Sequence, residues 1–430
     1  MGHSRNKNCL AMALSLAVAW TLVELVLNAL ESPSAWSSGA ILGQELPPRR
    51  IIPSIQLPGP EERLASAAAW ASPLVVGGRK ITFGDLYGIA REDVVLGHAP
   101  LENAVSANGW WQTNGLGARA RSPTPEQPPD GTTRLLLFGD SYTQGSRVPQ
   151  EETYAYFLQR NSPGLEVVNF GVDGYSMGQA FLRYDILKDR LEHHEVLLVL
   201  VPAADLWREI NVIRYIAEGW PSYKVNPRFV VDGGELQLVP SPYTDLSEML
   251  SENRPHISQA LRTHLRTYDR FYFPDRYEPN PLLDHSITYR LLKRWRAKRK
   301  QRELKEGLFE PDSEALQTTR KIVEAMAASA QSVGAGFALT ILPGPGDTDQ
   351  FVRDAEYRSR WEAMSDFLCA NLSTCYDLME EFSGLSPDTL DLGYDGSHYG
   401  PSANRAIADF LRIRRRGQPP DQMIRLSGPG

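Results

Sequence analysis

Serine, histidine and aspartate, the side chains that together perform nucleophilic catalysis, occur in two short segments of the sequence. Ser141 comes directly after Gly139-Asp140 and the largely apolar run 134–138, and Asp395 lies three residues before His398. A serine hydroxyl is a useful nucleophile only when a base lies within hydrogen-bond reach and a carboxylate orients that base. Because the short spacing puts Asp395 and His398 in one loop, the sequence predicts Ser141 as nucleophile, His398 as general base and Asp395 as the orienting group.

The segments around Ser141 alternate between strand and helix patterns. Short apolar runs typical of buried strands cover 134–138, 166–170, 196–201, 337–342 and 375–378, and helical patterns cover 151–160, 177–191, 312–333, 355–370 and 401–412. Such alternation predicts a mainly parallel sheet with helices on both faces, whose ligand site lies beyond the carboxyl ends of the strands. Ser141 follows the first strand and is therefore expected at that edge of the sheet.

These segments resemble the sequence blocks of the SGNH/GDSL hydrolase superfamily. Gly139-Asp140-Ser141 matches its first block, the segment 169–174 resembles its second block, and the pair Asp395 and His398 matches its last block. The resemblance covers 133–411 apart from a long insertion. It implies a three-layer α/β/α sandwich of flavodoxin-like character, with no cofactor and no metal. It also implies that the backbone N–H groups of Ser141 and Gly174 form an oxyanion hole.

The third block of the family departs from its pattern in this chain. Gly-x-Asn-Asp of the family falls on Pro202-Ala203-Ala204-Asp205, so Ala204 stands where the family has the asparagine that donates to the oxyanion. Loss of one such donor typically lowers turnover by about 100- to 1000-fold. Asn211 and Arg208 are nearby in sequence and carry donors, and either is a candidate substitute.

The N-terminal region has an unusual composition. His3, Arg5 and Lys7 precede the apolar run 9–30, in which Glu24 is the only charged residue. The run is long enough for a membrane-spanning helix of about 20 residues, while its first part alone is long enough for the core of a signal peptide. We therefore predict a signal anchor or a cleaved signal peptide over 1–31, with the rest of the chain outside the cytoplasm according to the positive-inside rule.

Changes in pattern give the other predicted boundaries: a linker over 32–60, an N-terminal cap over 61–130, the hydrolase domain over 131–415 with a mixed insertion at about 206–311, and a tail over 416–430. Within the insertion, Asp232-Gly233-Gly234 between two short apolar runs predicts a β-hairpin. The densely basic stretch 290–305 predicts a helix, with either a solvated face or a surface for anionic lipid headgroups or an acidic glycan.

Charge and cysteine content narrow the possible partners. The formal net charge is −7, so the chain as a whole lacks the basic field that attracts nucleic acid. Cys369 and Cys375 are six residues apart and would close a small loop in an oxidising compartment; the alternative is a pair of ordinary buried thiols.

Taken with the family resemblance, these features predict a serine esterase that acts outside the cytoplasm, is attached to the membrane through its N-terminal helix, and removes acyl groups from a small molecule or a glycan. O-acetyl esters are the substrates that the resemblance favours. Two alternatives stay open: an O-acyltransferase of polysaccharide, since an acyl-enzyme can also be resolved by a sugar hydroxyl, and a glycan- or membrane-binding domain without turnover, which the replacement at Ala204 favours.

Overall fold

A computed structural model describes residues 2–32, 40–42, 44–46, 74–76, 79–81, 90–106, 109–218, 225–243, 258–278, 280, 282–386, 389–393 and 396–416. Its internal contacts divide the chain into two compact units. One unit contains 1–59, 215–223 and 247–306, and the other contains 60–214, 224–246 and 307–430. Most of the predicted linker and almost all of the predicted tail lie outside the described residues.

The strands, in chain order, are β1 (Glu31–Ser32), β2 (Ala40–Ile41), β3 (Gln44–Glu45), β4 (Leu74–Val76), β5 (Arg79–Ile81), β6 (Ala90–Asp93), β7 (Gly97–Pro100), β8 (Thr133–Phe138), β9 (Leu165–Asn169), β10 (Glu195–Leu200), β11 (Arg228–Asp232), β12 (Glu235–Val239), β13 (Gly336–Ile341) and β14 (Cys375–Asp377). The helices are α1 (Gly2–Leu30), α2 (Ser141–Gln144), α3 (Tyr154–Arg160), α4 (Met177–Leu187), α5 (Pro202–Asp205), α6 (Arg214–Glu218), α7 (Gln259–Tyr268), α8 (Pro274–Tyr277), α9 (Ile287–Glu306), α10 (Glu314–Ser332), α11 (Asp347–Arg353), α12 (Ala355–Cys369), α13 (Met379–Ser383) and α14 (Pro401–Arg415). Short 3-10 turns cover Gln150–Glu152, Leu206–Ile210 and Gly307–Phe309.

The larger unit is built on a five-stranded sheet in the order β14-β13-β10-β8-β9. Every neighbouring pair in this sheet is parallel. Counted along the chain, the order is 2-1-3-4-5, which is the flavodoxin-like arrangement. The predicted fold class, a mainly parallel α/β sheet of flavodoxin-like order, is therefore confirmed.

Helices cover both faces of the sheet. Alternate residues of the strands point to opposite sides, so each face presents apolar side chains that a layer of helices buries. Leu135 and Leu137 belong to an apolar cluster that includes side chains of α3 and α14. From the same strand, Phe138 points to the opposite face, where its ring stacks on Phe170 at 5.2 Å and meets Tyr184 of α4 at 5.4 Å. The result is the three-layer sandwich that the sequence predicted.

The predicted hairpin is present in the larger unit. Strands β11 and β12 pair antiparallel around Asp232 and Glu235, with Gly233 and Gly234 at the turn. Both glycines have positive φ values, 58° and 88°, a region that side chains disfavour and that two-residue hairpin turns require. The hairpin packs on α4 and α10, so this part of the predicted insertion belongs to the same unit as the sheet.

In the smaller unit, α1 packs on the basic helix α9. The carboxylate of Glu24 accepts hydrogen bonds from the backbone N–H groups of Ile287 and Thr288 at 2.8 and 3.0 Å, so the one charge of the apolar run caps the N-terminus of α9. Buried Arg290 pairs with Glu31 at 2.8 Å, and buried Lys293 pairs with Asp284 at 3.0 Å. Arg290 and Lys293 of the basic stretch are thus buried and paired with carboxylates, and they do not belong to a solvated face.

The predicted membrane anchor finds no support in the structure. Across the part of the chain that the structure describes, no helix has both the length and the apolar character needed to cross a membrane.

Candidate active site

Ser141 stands where β8 ends and the short helix α2 begins. Asp140 accepts a hydrogen bond from the backbone N–H of Tyr142 at 2.8 Å and so caps this helix. The turn requires Gly139, since a Cβ at that position would lie 2.8 Å from the carbonyl oxygen of Val199 on the neighbouring strand. The hydroxyl of Ser141 is therefore held at the carboxyl edge of the sheet, where a parallel sheet forms its ligand site.

His398 lies beside Ser141 although 257 residues separate the two in sequence. The Nε2 atom of His398 is 2.9 Å from Ser141 Oγ, and its Nδ1 atom is 2.7 Å from Ser397 Oγ. The Tyr142 ring lies against the imidazole with ring centroids 4.6 Å apart. With Nδ1 protonated, Nε2 accepts the serine proton, as a general base must. Asp395 lies outside the described residues, so its orienting role stays a prediction.

The loop that carries Gly174 is tied to the segment of Ser141 by several hydrogen bonds. Asn169 donates from Nδ2 to the carbonyl of Thr143 at 2.7 Å, and the N–H of Val172 donates to the carbonyl of Gly139 at 3.1 Å. Gly174 itself has a φ of +79°, which favours glycine. Within the described residues, the N–H groups of Ser141 and Gly174 donate to no protein acceptor. The assignment of these two N–H groups to an oxyanion hole stays a prediction.

Arg208 joins the residues next to these two N–H donors. Its Nη1 atom is 3.0 Å from Asp140 Oδ2, 3.0 Å from the carbonyl oxygen of Tyr175 and 2.7 Å from Asp205 Oδ1. Asp140 precedes Ser141 in sequence, and Tyr175 follows Gly174. The Arg208 side chain is about 8% exposed, and the two carboxylates it contacts are almost fully buried. A guanidinium therefore lies between the two backbone segments of the predicted oxyanion hole.

The other candidate substitute for the missing asparagine is used elsewhere. The Nδ2 atom of Asn211 donates to the carbonyl of Ile213 at 3.0 Å, within its own turn. Ala204, which replaces the asparagine, packs against the apolar cluster on one face of the sheet. Arg208, the other candidate named from the sequence, contacts residues beside the nucleophile.

Asp173 is a charged neighbour of His398 that the sequence reasoning did not identify. Its carboxylate lies 3.4 Å from Arg147. Burial acts to raise the pKa of Asp173, but the charges of Arg147, Arg214 and His398 outweigh burial and lower the pKa to about 2. The carboxylate is thus ionised at neutral pH. Its position next to Gly174, in the second block, was the available signal.

Together these groups provide what an acyl transfer needs. A serine hydroxyl contacts an imidazole base, and the Arg208 guanidinium lies between the segments that carry the two predicted oxyanion donors, the N–H groups of Ser141 and Gly174. No group of histidine, cysteine, aspartate and glutamate side chains among the described residues has the arrangement of a metal site.

No protein-family model matches the sequence, and no curated protein matches it either. Three solved structures to which the chain is similar are esterase EstA from Pseudoalteromonas sp. (13% identity, TM-score 0.32, 66% of this chain and 97% of that chain), LAE5, an alpha/beta hydrolase enzyme from the metagenome of Lake Arreo, Spain (13%, 0.34, 66% and 95%), and Axe2, an acetylxylan esterase from Geobacillus stearothermophilus (13%, 0.33, 67% and 96%). At these identities and TM-scores, the case for a function rests on the side chains of the site.

Proposed function

We propose that this protein is a serine ester hydrolase of the SGNH type. The observation that carries the proposal is the 2.9 Å contact between Ser141 Oγ and His398 Nε2 at the carboxyl edge of a flavodoxin-like sheet. The contact with a histidine this distant in sequence has no role in capping a helix, which is the alternative reason for a serine at this position. A nucleophile and its general base, by contrast, require such a contact.

In the proposed reaction, Ser141 Oγ attacks the acyl carbonyl while His398 Nε2 takes the hydroxyl proton. The N–H groups of Ser141 and Gly174 donate to the oxyanion of the tetrahedral intermediate. His398 then gives its proton to the leaving alcohol, and the acyl group stays on Ser141 as an ester. A water molecule, deprotonated by His398, then attacks this ester. His398 returns the proton to Ser141 Oγ as the bond between Oγ and the acyl carbon breaks, which releases the carboxylic acid and restores the serine. Asp395 orients His398 in this scheme, and ionised Asp173 places a negative charge near the imidazole.

We further propose an O-acetyl ester on a glycan as the substrate and a location outside the cytoplasm. The glycan follows from the family resemblance of the sequence blocks. The location is supported by the basic N-terminus followed by an apolar run, and by the disulfide between Cys369 and Cys375, since disulfides persist mainly in oxidising compartments.

The proposal is tested by hydrolysis of 4-nitrophenyl acetate by the full chain, beside Ser141→Ala and a control variant, Ser332→Ala, which removes an exposed hydroxyl at the end of α10. Ser141→Ala should lose at least about 1000-fold in kcat and all labelling by a fluorophosphonate, while Ser332→Ala keeps both. Acetate release from an O-acetylated polysaccharide then tests the glycan substrate.

If the folded wild-type protein neither turns over the ester nor takes the label, the hydrolase proposal fails. The alternative of a binding domain, which the replacement of the family asparagine by Ala204 favours, would then account for the site.

A further inference from the structure

We propose that Arg208 is a positioning residue that replaces the missing asparagine of the third block: it clamps the two backbone segments of the oxyanion hole and places positive charge behind the oxyanion. The inference rests on the proposed ester hydrolysis and adds a residue that the family pattern does not contain at this place.

The clamp is visible in the contacts of one nitrogen. Arg208 Nη1 reaches Asp140 on one side and the carbonyl of Tyr175 on the other, each at 3.0 Å. Asp140 precedes Ser141 and Tyr175 follows Gly174, so the two acceptors belong to the residues next to those that carry the N–H donors. Because donors must be held in place before charge develops, fixing both segments to one rigid guanidinium favours the transition state over the ground state.

The same contacts affect the nucleophile. Asp140 Oδ2 lies 3.3 Å from Ser141 Oγ, so this carboxylate competes with His398 for the serine proton. The hydrogen bond from Arg208 engages that oxygen and makes it a weaker acceptor for the hydroxyl. With Arg208 in place, the shorter contact to His398 is favoured, and this is the contact that activates the serine.

The charges of two carboxylates beside Arg208 determine how strongly its guanidinium acts on an oxyanion. Arg208 faces Asp140 and Asp205, and two ionised carboxylates would outweigh its single positive charge. Burial, and then the charge of Asp140, raises the pKa of Asp205 well above its ordinary value. Burial thus opposes a second full negative charge beside Arg208 and limits how far these carboxylates offset its positive charge.

The test compares Arg208→Gln, Arg208→Lys, Ala204→Asn and the double variant Arg208→Gln/Ala204→Asn, with kcat and KM measured on 4-nitrophenyl acetate and folding checked by thermal unfolding. Arg208→Gln should lower kcat about 100-fold and change KM less than about 3-fold, because the clamp acts in the transition state. Arg208→Lys keeps the charge and should lose less than about 10-fold. The double variant should recover at least about 10-fold, because the introduced asparagine side chain would restore a donor to the oxyanion.

A fall in kcat that neither lysine nor Ala204→Asn reverses would assign Arg208 a purely structural role and overturn the inference, as would a folded Arg208→Gln variant with kcat within about 3-fold of wild type. If Arg208→Gln does not fold, the comparison of Arg208→Lys with Arg208→Lys/Ala204→Asn decides in the same way. Failure of the hydrolase proposal is distinct, because wild type would then show neither turnover nor fluorophosphonate labelling of Ser141.

Discussion

Glu209 gives the stability of this protein a pH dependence whose sign and size follow from the structure. The side chain is fully buried, and its carboxylate accepts hydrogen bonds from the backbone N–H groups of Met177 at 2.5 Å and Gly178 at 3.4 Å, at the N-terminus of α4. Burial raises the pKa of Glu209 to about 7 from an ordinary value of 4.5, although the two N–H groups act against this. In the folded protein the group is therefore largely protonated at mildly acid pH.

A carboxyl group whose pKa is raised by folding binds more protons in the folded state than in the unfolded state between the two pKa values. Its contribution to stability is therefore complete below pH 4.5 and is lost as pH rises through about 7. The difference between these two values corresponds to roughly 3 kcal/mol. Glu209→Gln is uncharged at every pH and keeps one oxygen to accept from Met177, so the variant should lack this decline.

The assay is urea unfolding of wild type and Glu209→Gln at pH 5, 6, 7 and 8.5, followed by tryptophan fluorescence. We expect the free energy of unfolding of wild type to fall relative to the variant by up to about 3 kcal/mol over this range. Glu235→Gln, an exposed position on β12, should run parallel to wild type. Parallel curves for wild type and Glu209→Gln would refute the assignment of a raised pKa to this group.

Two further changes test the loop beside the nucleophile and the disulfide. In Gly171→Ala the new Cβ would lie 2.7 Å from the backbone carbonyl carbon of Thr143, which cannot move away. Thermal unfolding should therefore show a loss of stability of at least about 3 kcal/mol, while the control Gly307→Ala, with open space around it, should stay within about 1 kcal/mol of wild type. A native-like Tm for Gly171→Ala would contradict the packing of this loop. Replacing Cys369 and Cys375 by serine removes a disulfide between residues six apart and should lower the free energy of unfolding by about 2 kcal/mol, measured by urea titration. A double variant as stable as the oxidised wild type would show that the disulfide does not contribute to stability.

The sequence predicted the sheet well because its strands carry a simple signal. The run 134–138 is apolar after Arg134, and the run 196–201 is apolar throughout, as is typical of strands buried on both faces. Strands β8 and β10 differ from these predictions by at most one residue at each end. The patterns 355–370 and 401–412 likewise became α12 and α14, although α14 extends to Arg415. The spacing of apolar residues shows which side of a strand or helix is buried, and this spacing can be read from the residues of that element alone.

Sequence pattern did not indicate how the segments of the insertion and of the N-terminal run group together. The hairpin of β11 and β12 belongs to the unit of the sheet, whereas 247–306 groups with the N-terminal residues 1–59. Glu24 looked like an isolated charge in an apolar segment, and it proved to cap α9 from 262 or more residues away. Partners this distant in sequence leave no periodic signal in either segment.

The sequence by itself determined the types of residue that could react and their places among the strands and helices: Ser141 follows β8, and His398 comes just before α14. Only the tertiary structure decided that Ser141 Oγ and His398 Nε2 lie 2.9 Å apart, and that Arg208 bridges the segments of Ser141 and Gly174 while Asn211 bonds within its own turn. The physical reason is that strand and helix patterns arise from burial of neighbouring residues. The distance between side chains on different loops is instead set by how the whole sheet packs against its helices.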